Sequence, residues 1–428
     1  MAIAATHVKR TRKDTPARKS GVTHRAKGVA LAGGGPLGAI YEIGALVALD
    51  EVLRGFDLID CGVYVGVSSG SFIAAGLANG LTPRAMYQMF IESEAADDPF
   101  EPEVLMRPAL KEYVRRLTLL PHLLKSSAQE YLASPRSRGF VESYWQLLAH
   151  ALPTGIFDNS RIGEYLTGLF SAPGRTNDFR KLRRKLFLVA TDLDSAEAVP
   201  FGAPGWDDVP IARAVLASAA LPGLFPPVEI GGHYYVDGAL VKTLHASVAL
   251  REGAKLLLCI NPLVPFNADA AARHTHGRRI SLVEGGLPTV LSQTFRAIIY
   301  SRMRTGMGRY SHEFPDADVV LFEPRRDDAE MFFANVFNYS ERKRLSEHAY
   351  QRTRAELRRR YGELRPILAR HGVTIDKAAL ADEVRTLSRP DGTIGRRAVH
   401  RSGSAGQLNH TLDRLEALLR VRTEPASG

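Results

Sequence analysis

The sequence predicts an α/β protein built on a mostly parallel sheet. Short runs that are apolar on both faces, at 28–32, 63–67, 186–192 and 255–261, are one sign of it. A strand buried on both sides of a parallel sheet has this composition. Helical periodicity fills the intervals between the runs, and the first two runs end in glycine-rich turns that lead straight into helices. With 428 residues, the chain has room for one α/β domain of roughly 250–350 residues plus appendages.

The basic character belongs to the ends. Residues 1–27 carry a net charge of +7 and 341–428 a net of +8, leaving −5 for 28–340. The first stretch, with Lys9, Arg10, Arg12, Lys13 and Pro16 but few apolar residues, reads as a disordered basic arm over 1–27. It lacks the apolar segment of a secretory signal, and no run of about 18 apolar residues predicts a membrane-spanning helix. A cytoplasmic or membrane-peripheral location is expected. Cys61 and Cys259 lie far apart in strand-like sequence and are expected to be free, buried thiols. No zinc-type spacing is present, and no cofactor is expected.

The strand Gly28–Ala32 runs into Gly33-Gly34-Gly35-Pro36-Leu37-Gly38, and an amphipathic helix through Ile43, Leu46, Val47 and Leu49 is expected to reach Arg54. Glycines here leave backbone N–H groups uncovered, suited to cradling a phosphate or an oxyanion. Gly33-x-Gly35-x-x-Gly38 also satisfies a dinucleotide pattern, but the second strand ends in Ser68 and not in an acidic ribose ligand. That second strand, Val63–Val67, meets Gly66-Val67-Ser68-Ser69-Gly70 and continues as an alanine-rich helix closing near Asn79-Gly80. A serine on such a bend presents its hydroxyl outward, with the N–H groups of the following helix beside it, which is a nucleophile's position.

Thr82-Pro83 opens a further helix. The β pattern then lapses over 95–182, where clusters such as Leu117–Leu124 and Tyr144–Leu148 predict a helical insertion beside the site. Leu186–Asp192 restores the strand pattern, and Asp208 is expected to cap the helix Ile211–Ala217. The apolar loop Ala220–Pro227 leads to a hairpin, Val228–Val236, turning at Gly231-Gly232. Directly after it stand Asp237, Gly238 and Ala239. A strand at Lys255–Asn261, a partly basic helical stretch from Ser281 to Tyr310 with Arg302, Arg304 and Arg309, and a last strand at Asp318–Phe322 follow. A long charged helix is expected from Glu341 to about Arg370 within a helical extension over 326–385. A flexible linker over 386–406 and a leucine-striped helix in 407–428 close the chain.

The glycine loop after the first strand, Gly-x-Ser-x-Gly after the second, and Asp237-Gly238-Ala239 far downstream stand in a definite order. Together with Ala217–Pro227, they resemble the patatin-like phospholipase family over roughly residues 28–262. The resemblance implies a three-layer α/β/α sheet in a catalytic domain over 28–325. It also implies a lipid acyl hydrolase that works through a Ser–Asp dyad without a metal. On it, Ser68 matches the nucleophile, Asp237 the base, and Gly33, Gly34 and Gly35 the oxyanion loop. Leu37 departs from the pattern, since members commonly carry Arg or Lys there.

Acyl transfer needs an activated hydroxyl, a proton acceptor within hydrogen-bond reach and donors aimed at the oxyanion. A carboxylate is a weak base near its ordinary pKa of about 3.9, so this chemistry asks for an Asp237 shielded from water. His233, His245 and His312 keep a Ser–His–Asp esterase open as an alternative. Acyl transfer to an alcohol or thiol, and a catalytically silent membrane-peripheral scaffold, are the others. The expected partner is a lipid substrate, with the basic termini as anchors on an anionic membrane. No specific nucleic acid is expected.

Overall fold

The computed structural model describes residues 26–92, 108–109, 118, 154–275, 280–334 and 341–388. Outside the described residues lie nearly all of the basic arm, most of the helical insertion including Leu117–Leu124 apart from Thr118, most of the linker and the C-terminal helix. The chain divides into two compact units, Met1–Ala381 and Asp382–Gly428. Of the second, 382–388 are described, and there Val384 N donates to Asp382 Oδ1 at 3.1 Å.

In the first unit, β1 (Lys27–Leu31) leads through the glycine loop to α1 (Gly35–Val52). β2 (Val63–Val67) leads through Ser68 to α2 (Ser69–Ala78). Thr82 caps the short helix Pro83–Tyr87 by accepting from Ala85 N at 3.1 Å. After α3 (Ser160–Ser171) come β3 (Lys185–Asp192), β4 (Ala198–Phe201) and α4 (Ile211–Ser218). The hairpin β5 (Val228–Ile230) and β6 (His233–Asp237) precedes α5 (Ala246–Arg251) and β7 (Leu256–Ile260). Then follow α6 (Gly286–Glu313), β8 (Asp318–Phe322), α7 (Arg342–Arg359) and α8 (Tyr361–Arg370).

The strands form one sheet in the order β5-β6-β3-β2-β1-β7-β8, with β4 also paired to β3. The run β3-β2-β1-β7-β8 is parallel, whereas β4 and β6 join β3 antiparallel. On one face, Ala246, Ala249 and Leu250 of α5 and Met303 and Tyr310 of α6 pack against Ala30, Val65, Phe187 and Leu257. Gly66, one residue out of phase with Val65, faces α2 on the other side. That second layer holds α1, α2 and α4, and α7 lies over α1. The result is the mostly parallel, three-layer α/β/α sheet that the sequence predicts.

Several local expectations change. Lys27 belongs to β1, not to a solvated arm: it is buried and its ammonium donates to Gly55 O. α1 stops at Val52 because Leu53–Arg54 pairs with Thr374–Ile375 in a separate ribbon. It is also buried nearly all round, not amphipathic, because α7 covers its outer side. α4 is not capped by Asp208. Its first N–H groups, Ile211 N and Ala212 N, donate to Asn177 O at 2.9 Å and Asn177 Oδ1 at 2.8 Å. Cys61 is free and buried as expected but lies in the turn before β2, while Cys259 is in β7. The charged helix expected over 341–370 is two helices broken at Arg360. The helical extension, up to Ala381, belongs to the same compact unit as the sheet.

Candidate active site

Sheet register gathers the site. Val67 of β2 lies opposite Val189 of β3, and the next residue of β3, Ala190, lies opposite Asp237 of β6. β2 and β6 share one edge of β3, with β4 on the other, so Ser68, one step past Val67, arrives directly beside Asp237 where β6 takes over from β2. On the other side Leu31 pairs with Gly66, which sets Gly33 abreast of Ser68. Three segments distant in sequence meet at one end of the sheet.

Ser68 has φ 52° and ψ −126°, backbone that a residue with a Cβ seldom adopts. The strain is held from several sides. Ser68 N donates to Ser218 Oγ at 2.9 Å, and Ser218 Oγ donates onward to Val189 O at 2.6 Å. Ser68 O accepts from Ser71 N at 2.9 Å and from Ser71 Oγ. Gly66 ends the strand against α2. Gly70 sits where a Cβ would come within 2.6 Å of the Leu31 and Ala32 carbonyls, so only glycine lets α2 start this close to β1.

Asp237 Oδ2 accepts the Ser68 hydroxyl at 2.6 Å. Its Oδ1 accepts Ala239 N at 2.8 Å, its carbonyl accepts Thr191 Oγ1 at 3.2 Å, and its own N–H donates to Ala220 O at 3.0 Å. Burial pushes the carboxyl up to about 6, against the opposing pull of the Ser68 and Ala239 hydrogen bonds. Gly238 opens the short 3₁₀ turn that aims Ala239 N back at the carboxylate.

Gly33, Gly34 and Gly35 bridge β1 and the start of α1. Among the described residues their N–H groups donate to no backbone carbonyl, whereas Gly38 N donates to Gly34 O at 3.0 Å and closes the first turn. A Cβ on Gly33 would lie 2.8 Å from the Ser68 Cβ, so only glycine lets the loop backbone abut the serine. Unpaired N–H groups beside the Ser68 side chain, at a helix N-terminus, form a ready oxyanion cradle.

The three histidines sit apart from this centre. His245 is buried with its Nε2 unpartnered, and burial holds it down to about 3, so it stays neutral. His233 is exposed on the hairpin edge with Nδ1 3.2 Å from Asp192 Oδ2, and His312 is exposed near the end of α6. Asp192, Asp194 and His233 are the group with metal-ligand spacing found among the described residues, and they lie on that hairpin edge, not at Ser68.

A cavity of about 510 Å³ opens over Ser68 and Asp237. Ile40 and Ile43 of α1, Phe72 of α2, Leu166 of α3, Leu216 of α4 and Phe295 of α6 are among its walls. Asp237 and Arg296 are the charged side chains among its lining residues. Such a cavity suits an acyl chain, with each buried methylene worth about 0.8 kcal/mol. Ser218, Thr191 and Arg296 were not singled out by the sequence. A serine closing the helix Ile211–Ser218, whose other polar residue is Arg213, was the one available signal.

A family model described as patatin-like phospholipase matches residues 29–250. No curated protein matches the chain. Among solved structures, VipD from Legionella pneumophila is similar at 15% identity, over 76% of this chain and 67% of that one, with a TM-score of 0.33. The type III effector ExoU of Pseudomonas aeruginosa is similar at 18% identity over 78% and 53%, with a TM-score of 0.33. Human GIVD cytosolic phospholipase A2 is similar at 14% identity over 78% and 59%, with a TM-score of 0.30. The chain thus spans between 53% and 67% of the length of these three structures.

Proposed function

This chain belongs to the patatin-like phospholipase family, and from that premise we propose that it hydrolyses fatty-acyl ester bonds of lipids with Ser68 as nucleophile and Asp237 as the sole general base. The observation that carries the reading is the 2.6 Å contact between Ser68 Oγ and Asp237 Oδ2. The carboxyl there is raised by burial to about 6. A carboxylate poised near neutrality, in direct contact with the hydroxyl, leaves no step for a histidine.

In this mechanism Ser68 Oγ attacks the ester carbonyl carbon while its proton passes to Asp237 Oδ2. The tetrahedral oxyanion is held by N–H groups of the Gly33–Gly35 loop, one such donor being typically worth about 2.7–4 kcal/mol. Collapse breaks the bond to the alcohol, which leaves with the proton from Asp237, and the acyl group remains on Ser68. Water then attacks the acyl-enzyme, again giving its proton to Asp237, and the fatty acid departs as Ser68 recovers the proton. The cavity walls hold the acyl chain through both halves and exclude bulk water from the carboxylate.

A fluorophosphonate probe with a long alkyl chain tests this directly. It is expected to label wild-type protein at Ser68 and to leave Ser68→Ala unlabelled. Fatty-acid release from a mixed lipid extract is expected to vanish in the same variant. Wild-type protein that resists the probe and releases no fatty acid would point to a silent scaffold instead.

A further inference from the structure

We propose that the amino-terminal half of α6 is the surface that seats this protein on an anionic lipid bilayer. The proposal rests on the reading of the chain as a lipid hydrolase and names where its substrate's membrane docks. Leu287, Val290, Leu291, Phe295 and Ile298 recur at helical spacing and share one side of α6. Their exposure runs from 39% at Val290 to 69% at Leu287, and Val283, just before the helix, is 76% exposed. From Gly286 to Ser301 the sole charged side chain is Arg296. It is turned the other way, lining the cavity, stacked 5.2 Å from the Phe332 ring and donating to Val264 O at 3.3 Å. The usual arrangement of a surface helix is therefore inverted, with apolar side chains outward and the cation inward. A contiguous apolar patch on a soluble surface marks an interaction site.

Two observations select a membrane as the occupant. The first is continuity with the cavity: Ser292, Phe295, Arg296 and Ile299 of the same helix segment line the space over Ser68. A lipid rising from a bilayer seated on this face would stay in contact with apolar side chains until its ester reached the serine. The second is charge. Beyond the apolar segment the exposed side of α6 carries Arg302, Arg304 and Arg309, and between Ile280 and His312 the only acid is Glu284. Arg309 reaches Glu313 at 3.2 Å at the helix end. An apolar face flanked by a cationic band suits insertion among anionic headgroups. A second copy of this face would bring the same three arginines against Glu284, while Glu313 is already paired with Arg309.

The test uses the full-length protein in a Ser68→Ala background, so that binding is read whether or not the chain hydrolyses the lipid. Its probes are vesicles of phosphatidylcholine with phosphatidylglycerol, compared with phosphatidylcholine alone. Leu287 and Leu291 lie outside the cavity lining, and the double variant Leu287→Asp/Leu291→Asp is expected to lower affinity for the mixed vesicles at least about tenfold. Arg304→Gln/Arg309→Gln is expected to weaken binding to the mixed vesicles alone. In the Ser68 protein, the leucine double variant should hydrolyse a soluble short-chain ester at the wild-type rate. Unchanged vesicle affinity in the leucine double variant would overturn the proposal. So would conversion of a dimer to a monomer with vesicle binding intact, which makes the face a contact between copies. Collapse of soluble-ester turnover together with Tm would assign those leucines to the core instead. If the hydrolase reading alone fails, the soluble ester is untouched by every form while the leucine variant still loses the vesicles.

Discussion

Replacing Asp237 by Asn is expected to stabilise the protein at neutral pH while sharply lowering turnover. Burial holds this carboxyl at about 6 against an ordinary 3.8. Because the folded value lies above the unfolded one, the unfolded chain gives up the proton more readily, and ionisation opposes folding. At pH 7 the difference amounts to about 3 kcal/mol; it shrinks as pH falls from 6 towards 3.8 and is absent below. Asn keeps an acceptor for Ala239 N and a partner for Ser68 Oγ, so the substitution costs about 1 kcal/mol in weakened hydrogen bonds. The net expectation is a variant more stable by about 2 kcal/mol at pH 7 and less stable by about 1 kcal/mol near pH 3.5. Paired urea titrations at the two pH values measure it, with equal m-values required. Equal destabilisation at both pH values would mean that Asp237 is not held near neutrality by burial, and the basis for its role as a base would fall. Turnover should drop by about 10²–10⁴ with loss of the base.

Further expectations follow from the same geometry. For wild type, kcat/KM should rise about tenfold per pH unit below about 6 and level off above it, as Asp237 ionises. Ser218→Ala removes the acceptor for Ser68 N. It should lower kcat about 10- to 100-fold with little change in KM and leave the inflection near 6 in place, since it disturbs positioning and not the base. His245→Gln should stay within a few-fold of wild type, because a histidine held neutral down to about 3 by burial takes no proton from Ser68. A loss equal to that of Ser68→Ala would replace the dyad by a triad. Gly44→Ala puts a Cβ 2.3 Å from Ser346 O between α1 and α7. Thermal unfolding should report a loss of about 1–3 kcal/mol from the forced separation of those helices.

Much of the site was legible because it rests on local backbone demands. A strand that turns abruptly into a helix needs glycines around the turning residue, and Gly66, Ser68 and Gly70 record that need in consecutive positions. The Gly33–Gly35 loop does the same at the neighbouring strand. Legibility failed where a remote group supplied the partner. Asp208 had the right chemistry for a cap, but Asn177, far upstream, reaches the α4 N–H groups first. Strand β4 is only four residues long and holds Pro200, which weakens any strand pattern yet is tolerated where β4 pairs with β3 alone. In α6 the apolar spacing is plain in the sequence, but periodicity states that a face exists and not what covers it.

The sequence by itself determined the α/β class, the order of the strands along the chain, the two glycine turns and the serine and aspartate as residue types, since each follows from chemistry within a few neighbours. Only the tertiary structure decided that Ser68 and Asp237, 169 positions apart, come within 2.6 Å. It also decided that burial lifts the carboxyl to about 6, that Ser218 holds the serine backbone, that α7 covers α1, and that the apolar side of α6 is exposed among the described residues. Register across a sheet and removal from water are sums over residues from the whole chain, and no short stretch of sequence contains them.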